Sequence, residues 1–380
     1  MGEFTVRCDY FQREQCRSCT LLPLPYPEQV SRQEAAVRQL LALPDSAWLP
    51  SITSPQTRFR NKAKLAVGGT IEQPLLGIAT ATGVQDLTRC PLHVSAIEDA
   101  LPALRSFLTT AKLAPYDVAS RRGELKFLLI TASADGRLMV RFVLRSREAE
   151  TRMRKHLPGL LTQVPRLAVV SLNVQPTHAA LLEGPEEIVL TAQATLTMRV
   201  NDLDLHLRPQ SFFQTNTPIA AHLYAQATDW MMDSAPRSVW DLYCGVGGFA
   251  LHAARAGIAE VTGIEISSEA IASAQRTATD LTLTGLTFIA EDATLFALSA
   301  QQPPELVLVN PPRRGIGADL AGWLERSGVN EVIYSSCNAV SLARDLATMP
   351  SLTPVTAVVL DMFPNTDHYE VLVRLRRTTV

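Results

Sequence analysis

The chain of 380 residues has no apolar run approaching the roughly 18 residues a membrane span requires. Its opening stretch carries Glu3, Arg7, Asp9, Arg13 and Glu14, which breaks up any apolar core of a signal peptide. Six cysteines are too few for a disulfide scaffold at this length. There is no internal repeat and no low-complexity segment. These absences argue against a membrane protein, a secreted disulfide module and a repeat array. The expectation is a cytoplasmic protein that acts as a monomer.

What is present is ordinary globular composition, 47% apolar and 19% charged, in a length sufficient for two or three domains. The net charge of −2 conceals an asymmetry. Residues 1–208 hold 25 Lys and Arg against 20 Asp and Glu; the remainder hold 10 against 17. A basic half joined to an acidic half points to a polyanion met by the first half, although a mixed solvated surface gives a similar count.

The cysteines are not scattered. Cys8, Cys16 and Cys19 stand close together, and Cys90 follows far downstream beside Pro91. Three near sulfurs and one distant sulfur make a four-thiolate site closed by folding. Zinc and an iron–sulfur cluster both fit. The three-plus-one spacing and the following proline favour a 4Fe-4S cluster over zinc, with a chiefly structural role. Beyond the extended Pro23–Pro27 link, Arg58, Arg60, Lys62 and Lys64 alternate with Phe59, Asn61 and Ala63. On a strand this alternation aligns four cations on one face, a phosphate track or simply a solvated face. Arg121 and Lys126 add a second basic group. Hairpins with intervening helices make residues 1–208 an α+β module.

From residue 209 the pattern changes to alternating strands and helices, a doubly wound, Rossmann-like α/β domain over 209–380. Ligands in such sheets bind at the carboxyl ends of the strands. One strand ends at Asp241 and runs into Gly245-Val246-Gly247, with Ala250 completing G-x-G-x-x-A. Glu265 ends the next strand, placed for ribose hydroxyls. This is also the dinucleotide fingerprint, so NAD is an alternative. Asp241 meets a methionine ammonium well and repels a pyrophosphate. Asp292 ends a third strand, suited to an adenine amino group, and Asn310-Pro311-Pro312 ends a fourth. Together these favour S-adenosylmethionine. Cys337 sits at the tip of a further strand, Val332-Ile333-Tyr334; a lone cysteine there is more often a core residue than a nucleophile.

The combination of Gln214 with Asn216, Asp241 to Gly247, Asn310-Pro311-Pro312-Arg313, Ser335-Ser336-Cys337-Asn338 and Asp361-Met362-Phe363-Pro364 with His368-Tyr369-Glu370 resembles the RNA 5-methyluridine methyltransferases. With the four cysteines it is similar to the iron–sulfur members that act on 23S ribosomal RNA. The cysteine block starts too early to admit their additional N-terminal β-barrel, and Asn310 stands where other members carry Asp. Both features match the subtype that methylates one uridine in a 23S rRNA hairpin. The resemblance implies Cys337 as nucleophile and Glu370 as general base, with His368 the alternative base by chemistry alone. It also implies Gln214, Tyr243, Glu265 and Asn310 as contacts to S-adenosylmethionine. The departure at Asn310 leaves that residue's role open. Arg313 and Arg314 are suited to RNA phosphate or to a solvated turn. The same chemistry on another RNA, and an RNA-folding factor with incidental methylation, are the alternatives.

Overall fold

In the computed structural model, which describes residues 6–178 and 181–378, the chain divides into two units that each draw on two stretches of sequence. One unit comprises Val6–Cys19 and Gln56–Met198. The other comprises Thr20–Pro55 and the chain from Arg199 onward.

The first unit is built on a seven-stranded sheet. Its strands are β1 (Lys62–Gly69), β2 (Pro74–Thr80), β3 (Gly83–Asp86), β4 (Leu125–Ala132), β5 (Leu138–Leu144), β6 (Leu167–Val174) and β7 (Glu186–Val189), in spatial order β3-β2-β1-β4-β5-β6-β7. All neighbours are antiparallel except β5 and β6, which the helix Glu150–Gln163 connects as a crossover. The turn at Asp135-Gly136 closes the β4–β5 hairpin, with Gly136 at φ 81°. The helices Ser95–Thr110 and Glu150–Gln163 contribute Leu101, Leu104, Leu108, Met153 and Leu160 to a core with Leu128, Ile130 and Phe142. This is the expected α+β module.

The chain leaves this unit along a two-stranded ribbon, β8 (Leu196–Val200) and β9 (Leu203–Leu207). The second unit's sheet holds β10 (Ser238–Leu242), β11 (Glu260–Glu265), β12 (Leu286–Ala290), β13 (Leu306–Val309), β14 (Glu331–Ser336), β15 (Leu352–Leu360) and β16 (Glu370–Arg377). The order is β12-β11-β10-β13-β14-β16-β15. The first five are parallel, and β16 runs antiparallel to both its neighbours. The Rossmann-like expectation holds.

The expected boundary at 208/209 differs from the observed units in one large respect. Thr20–Pro55 belongs with the C-terminal sheet. Leu49 and Ile52 donate backbone N–H groups to Ala357 and Val359 at 2.8 and 2.9 Å, extending the edge at β15. The hydroxyl of Tyr26 and the amide of Gln33 both reach the Asp361 carboxylate, at 2.7 and 3.2 Å. Val37 and Trp48 join the apolar cluster with Leu342 and Val359. These are contacts across more than three hundred residues, invisible to local pattern. Among the described residues, no helix is long and apolar enough to cross a membrane.

Candidate active site

The order of the second sheet reverses at β10, whose parallel neighbours are β11 and β13. The loops leaving the carboxyl ends of such strands part from one another, which opens a crevice at that point. Asp241, Glu265, Asn310 and Cys337 all occupy these strand ends.

The loop after β10 has the backbone of a ligand cradle. Tyr243, Gly245 and Gly247 have φ of 64°, 56° and 81°. A Cβ on Gly247 would lie 2.7 Å from the Phe288 ring, so glycine is required there for packing as well as for conformation. A Cβ on Gly245 would meet nothing within 4 Å, which leaves open space above its backbone. Tyr243 holds a left-handed conformation without being glycine, a local strain of the kind that marks functional loops. Asp241 is 1% exposed. Its Oδ2 accepts the Ala250 N–H at 2.9 Å, and its Oδ1 has no partner among the described residues. Burial pushes this carboxyl up to about 8, against the Ala250 hydrogen bond, with Glu265 adding repulsion. An orphaned, buried carboxylate oxygen fits a cationic ligand group. Glu265 accepts the N–H groups of Ser267 at 3.0 Å and Gly245 at 3.2 Å, one on each oxygen. Asp292 caps the helix Ala293–Ser299 through Oδ1, which accepts from Thr294 and Leu295. Asn310 ends β13, its N–H bonded to Leu242 O. Gln214 is buried just ahead of Asn216, which caps Thr217–Ser234 and also donates to Ser54 Oγ at 2.8 Å.

The thiol and the acid come together through β14 and β16. Ser336 pairs with Val371 in the last rung of the ladder, Cys337 and Glu370 adjoin that rung on the two strands, and the Glu370 charge acts on the thiol. Cys337 is partly exposed, and Glu370 is 2% exposed. The Ser335 hydroxyl donates to Glu370 Oε1 at 2.6 Å. Burial pushes Glu370 up to about 7, with the Ser335 hydrogen bond opposing. Burial also pushes the Cys337 thiol up, and the Glu370 charge adds to this, while the Arg313 guanidinium pulls it down by charge and by hydrogen bond. A buried acid and a cation whose charges both act on one thiol can support covalent catalysis with proton transfer. His368 is exposed, edge-on to Phe363, and takes no part in this pairing. Ser335 and the thiol contact of Arg313 were not anticipated; pairing across β14 and β16 is the signal that finds Ser335.

A family model described as tRNA (uracil-5-)-methyltransferase matches residues 186–378. The chain belongs to that family. It is 50% identical over 378 residues to the 23S rRNA (uracil(747)-C(5))-methyltransferase RlmC of Halothiobacillus neapolitanus, covering 98% of this chain and 100% of that one. It is 47% identical over 373 residues to the RlmC of Escherichia coli O139:H28, covering 97% and 99%. The solved Pyrococcus abyssi tRNA (uracil-54, C5)-methyltransferase, in complex with S-adenosyl-L-homocysteine, shares the fold at a TM-score of 0.79 and 23% identity, over 94% of this chain and 85% of that one.

In this family member the four expected ligand cysteines lie in a single unit, although Cys90 is remote from the others in sequence. Cys19 is pushed up to about 12, by burial first and then by Cys90, Cys16 and Cys8. Cys90 is raised by burial first and then by Cys8 and Cys16. Among the described residues, no three His, Cys, Asp or Glu side chains are gathered tightly enough to hold a single metal ion.

The cation row of the same unit alternates as expected. Phe59, Asn61 and Ala63 are buried, while Arg58, Arg60, Lys62 and Lys64 are partly or fully exposed. Only Lys62 and Lys64 lie within β1, and Arg58 sits in a left-handed turn with Glu98 at 3.7 Å. Lys62 is pulled down to about 8 by burial and by Lys64. Arg121 is exposed in a turn, φ 57°. Lys126 is a correction. It is 7% exposed, and its Nζ donates to Gln175 O at 2.8 Å, to Thr177 O at 2.7 Å and to Gln175 Oε1, above the Tyr116 ring. With its donors consumed by carbonyls it fastens a loop and is not part of an RNA-facing surface.

Proposed function

We propose that this chain transfers a methyl group from S-adenosylmethionine to C5 of one uridine in a 23S rRNA hairpin, as a cytoplasmic monomer. The observation that supports the reading is that Cys337 and the buried Glu370 adjoin the same terminal rung of β14 and β16, with the Glu370 charge acting on the thiol. The near-complete alignment at 47–50% identity with RlmC enzymes supports the rRNA substrate.

Uracil C5 is a weak nucleophile. Addition of the Cys337 thiolate to C6 moves the ring electron pair toward C5 and makes an enolate. S-adenosylmethionine, when bound, supplies an electrophilic methyl on a sulfonium. C5 would take that methyl as the sulfonium S–CH3 bond breaks and the donor is left as a neutral thioether, and Glu370 then removes the C5 proton. The restored enolate expels the thiolate, and the C5–C6 double bond returns. Arg313 holds the thiolate form of Cys337 before addition, and Ser335 orients Glu370. Asp241 receives the methionine ammonium, the open face of Gly245 receives the donor's backbone approach, and Glu265 takes the ribose hydroxyls. Gln214, Tyr243 and Asn310 complete the donor contacts, with Asp292 toward the adenine. A base held in a hairpin must be extruded to reach the thiol. Arg58, Arg60, Lys62, Lys64 and Arg121 are assigned to RNA phosphates. Cys8, Cys16, Cys19 and Cys90 are assigned to a 4Fe-4S cluster, supported by a donor set of four thiols in one unit.

The test is an adduct trap. Glu370→Gln protein, 23S hairpin RNA and S-adenosylmethionine are mixed and run on a denaturing gel. A slow RNA–protein band, absent when Cys337 is also changed to Ala, is expected. Methylation without any trapped band sinks the assignment of both residues. Methylation of tRNA in place of the hairpin sinks the substrate.

A further inference from the structure

A cavity of about 540 Å³ lies in the cysteine-bearing unit, within the range of about 300–1,000 Å³ common to ligand sites. Its walls come from two stretches far apart in sequence, around residues 7–15 and 86–91. The Tyr10 hydroxyl ties them together by accepting the Arg89 N–H at 3.1 Å.

Arg7, Arg13 and Arg89 are among the lining residues, beside Cys8, one of the four thiols assigned to the cluster. Two carboxylates line it as well, and both are already answered. Asp86 pairs with Arg105 and accepts from the Thr88 hydroxyl at 2.6 Å. Asp9 faces Arg7 at 3.7 Å. Among the described residues, Arg13 and Arg89 have no carboxylate partner. The cavity therefore presents two arginines without a carboxylate partner among the described residues, with Cys8, Thr88 and Gln15 beside them. Such a concave surface is made for an anion with several acceptor oxygens.

The cavity also shares a wall with the cation row. Pro91 lines it, and the segment Arg58–Arg60 runs beside Pro91 and Leu92, with Arg58 N–H to Pro91 O at 2.9 Å and Arg60 N–H to Leu92 O at 2.8 Å. A row of cations running into a cationic pocket fits a ligand with repeated anionic groups. We propose that this pocket takes a backbone phosphate of the RNA substrate, held by Arg13 and Arg89, and anchors the strand that follows Arg58 to Lys64. The assignment rests on the rRNA reading above.

The test uses the full-length protein and the hairpin transcript that the parent methylates, with binding read by fluorescence anisotropy across a salt series. Arg13→Ala with Arg89→Ala is expected to weaken binding roughly tenfold or more near 0.1 M salt and to reduce the slope of log affinity against log salt by about one to two. The Arg13→Lys, Arg89→Lys pair is expected to keep the slope and recover part of the affinity, since it retains charge without the fork. Affinity for S-adenosylmethionine and visible absorbance of the purified protein are expected to match the parent in both. Parental affinity and slope in the Ala pair overturn the proposal. Weak binding that accompanies lost visible absorbance, and is not restored by the Lys pair, also overturns it, because the arginines then shape the cysteine site. A parent that neither binds nor methylates the hairpin brings down the rRNA reading and the pocket with it, whereas a loss confined to the variants leaves that reading standing.

Discussion

Glu370 is held at a cost that its chemistry explains. Its carboxyl titrates near 7 in the folded protein against 4.5 for an ordinary glutamate. The folded state therefore binds this proton more tightly than the unfolded state. The stabilisation is fully present below pH 4.5 and is lost as pH rises through 7. Above that range the buried charge costs on the order of 3 kcal/mol. Glu370→Gln cannot ionise and can still accept from Ser335. It is expected to abolish turnover while raising unfolding free energy at pH 8 by up to about 3 kcal/mol. Urea titrations at pH 5 and pH 8 check this, and an unchanged pH dependence in the variant refutes it. Asp241 has the same sign, raised to about 8 from 3.8, and its ionised form is the one that suits a cation. Donor binding should strengthen about fivefold from pH 7 to pH 8, with proton release measured by calorimetry in two buffers, and Asp241→Asn should lose that dependence. Cys337 and Asp241 were legible in the sequence because each sits at a strand end with distinctive neighbours. Lys126 misled because a basic residue near other basic residues reads as surface, while its three carbonyl acceptors lie about fifty positions downstream.

At the scale of elements, the loop after β13 is pinned from the helix Ala339–Ala347 and its cap. Asp345, 3% exposed, accepts the Ile316 N–H and the Tyr334 hydroxyl on Oδ2, both at 2.8 Å. Asn338 caps the helix through Oδ1 and donates from Nδ2 to Arg313 O at 2.9 Å. Gly315, at φ 85°, passes so close to Asp345 that a Cβ would overlap the carboxylate. The same helix thus fixes the Arg313 loop and carries the chain just after Cys337. Asp345→Ala is expected to cost about 2–4 kcal/mol, from two hydrogen bonds to a charged group and the donors left unpaired. Tyr334→Phe is expected to cost about 1 kcal/mol. If the loop positions Arg313 against the thiol, Asp345→Ala also shifts the pH profile of Cys337 alkylation toward higher pH, whereas Tyr334→Phe shifts it less. Alkylation profiles that coincide with the parent confine Asp345 to stability. None of this was legible beforehand. The apolar runs disclosed β13 and β14 as strands, but the cross-links between the loops that follow them are made by single polar atoms without any period.

At the scale of the molecule, the residues proposed for methyl transfer and the four cysteines fall in different units. Asp241, Gly245, Glu265, Cys337 and Glu370 belong to the unit containing Thr20–Pro55 and the C-terminal sheet. Cys8, Cys16, Cys19 and Cys90 belong to the other. The change to alternating strands and helices after residue 208 pointed to a second domain, but the passage of Thr20–Pro55 into the C-terminal unit rests on Gln33, Tyr26 and Trp48 meeting residues near 357–361, which no local pattern reports. The cysteine segment Val6–Cys19 is bound into its unit by few elements of its own: a four-residue helix, Asp9–Gln12, with no buried residue. The proposed cluster's thiolate cross-link to Cys90 would supply what that short segment lacks, as metal sites do where apolar burial is small. Cys90→Ser is therefore expected to remove visible absorbance near 400 nm and to raise amide hydrogen exchange across 6–19. Affinity for S-adenosylmethionine should stay within about twofold of the parent, since the proposed donor residues and the cysteines belong to different units with no shared partners. Exchange in β10 and β14 should be unchanged. A Cys90→Ser protein whose exchange rises equally in β10 and β14 would show that the two units unfold together, and the cysteine site would then act on the stability of the whole chain rather than on the attachment of its N-terminal segment.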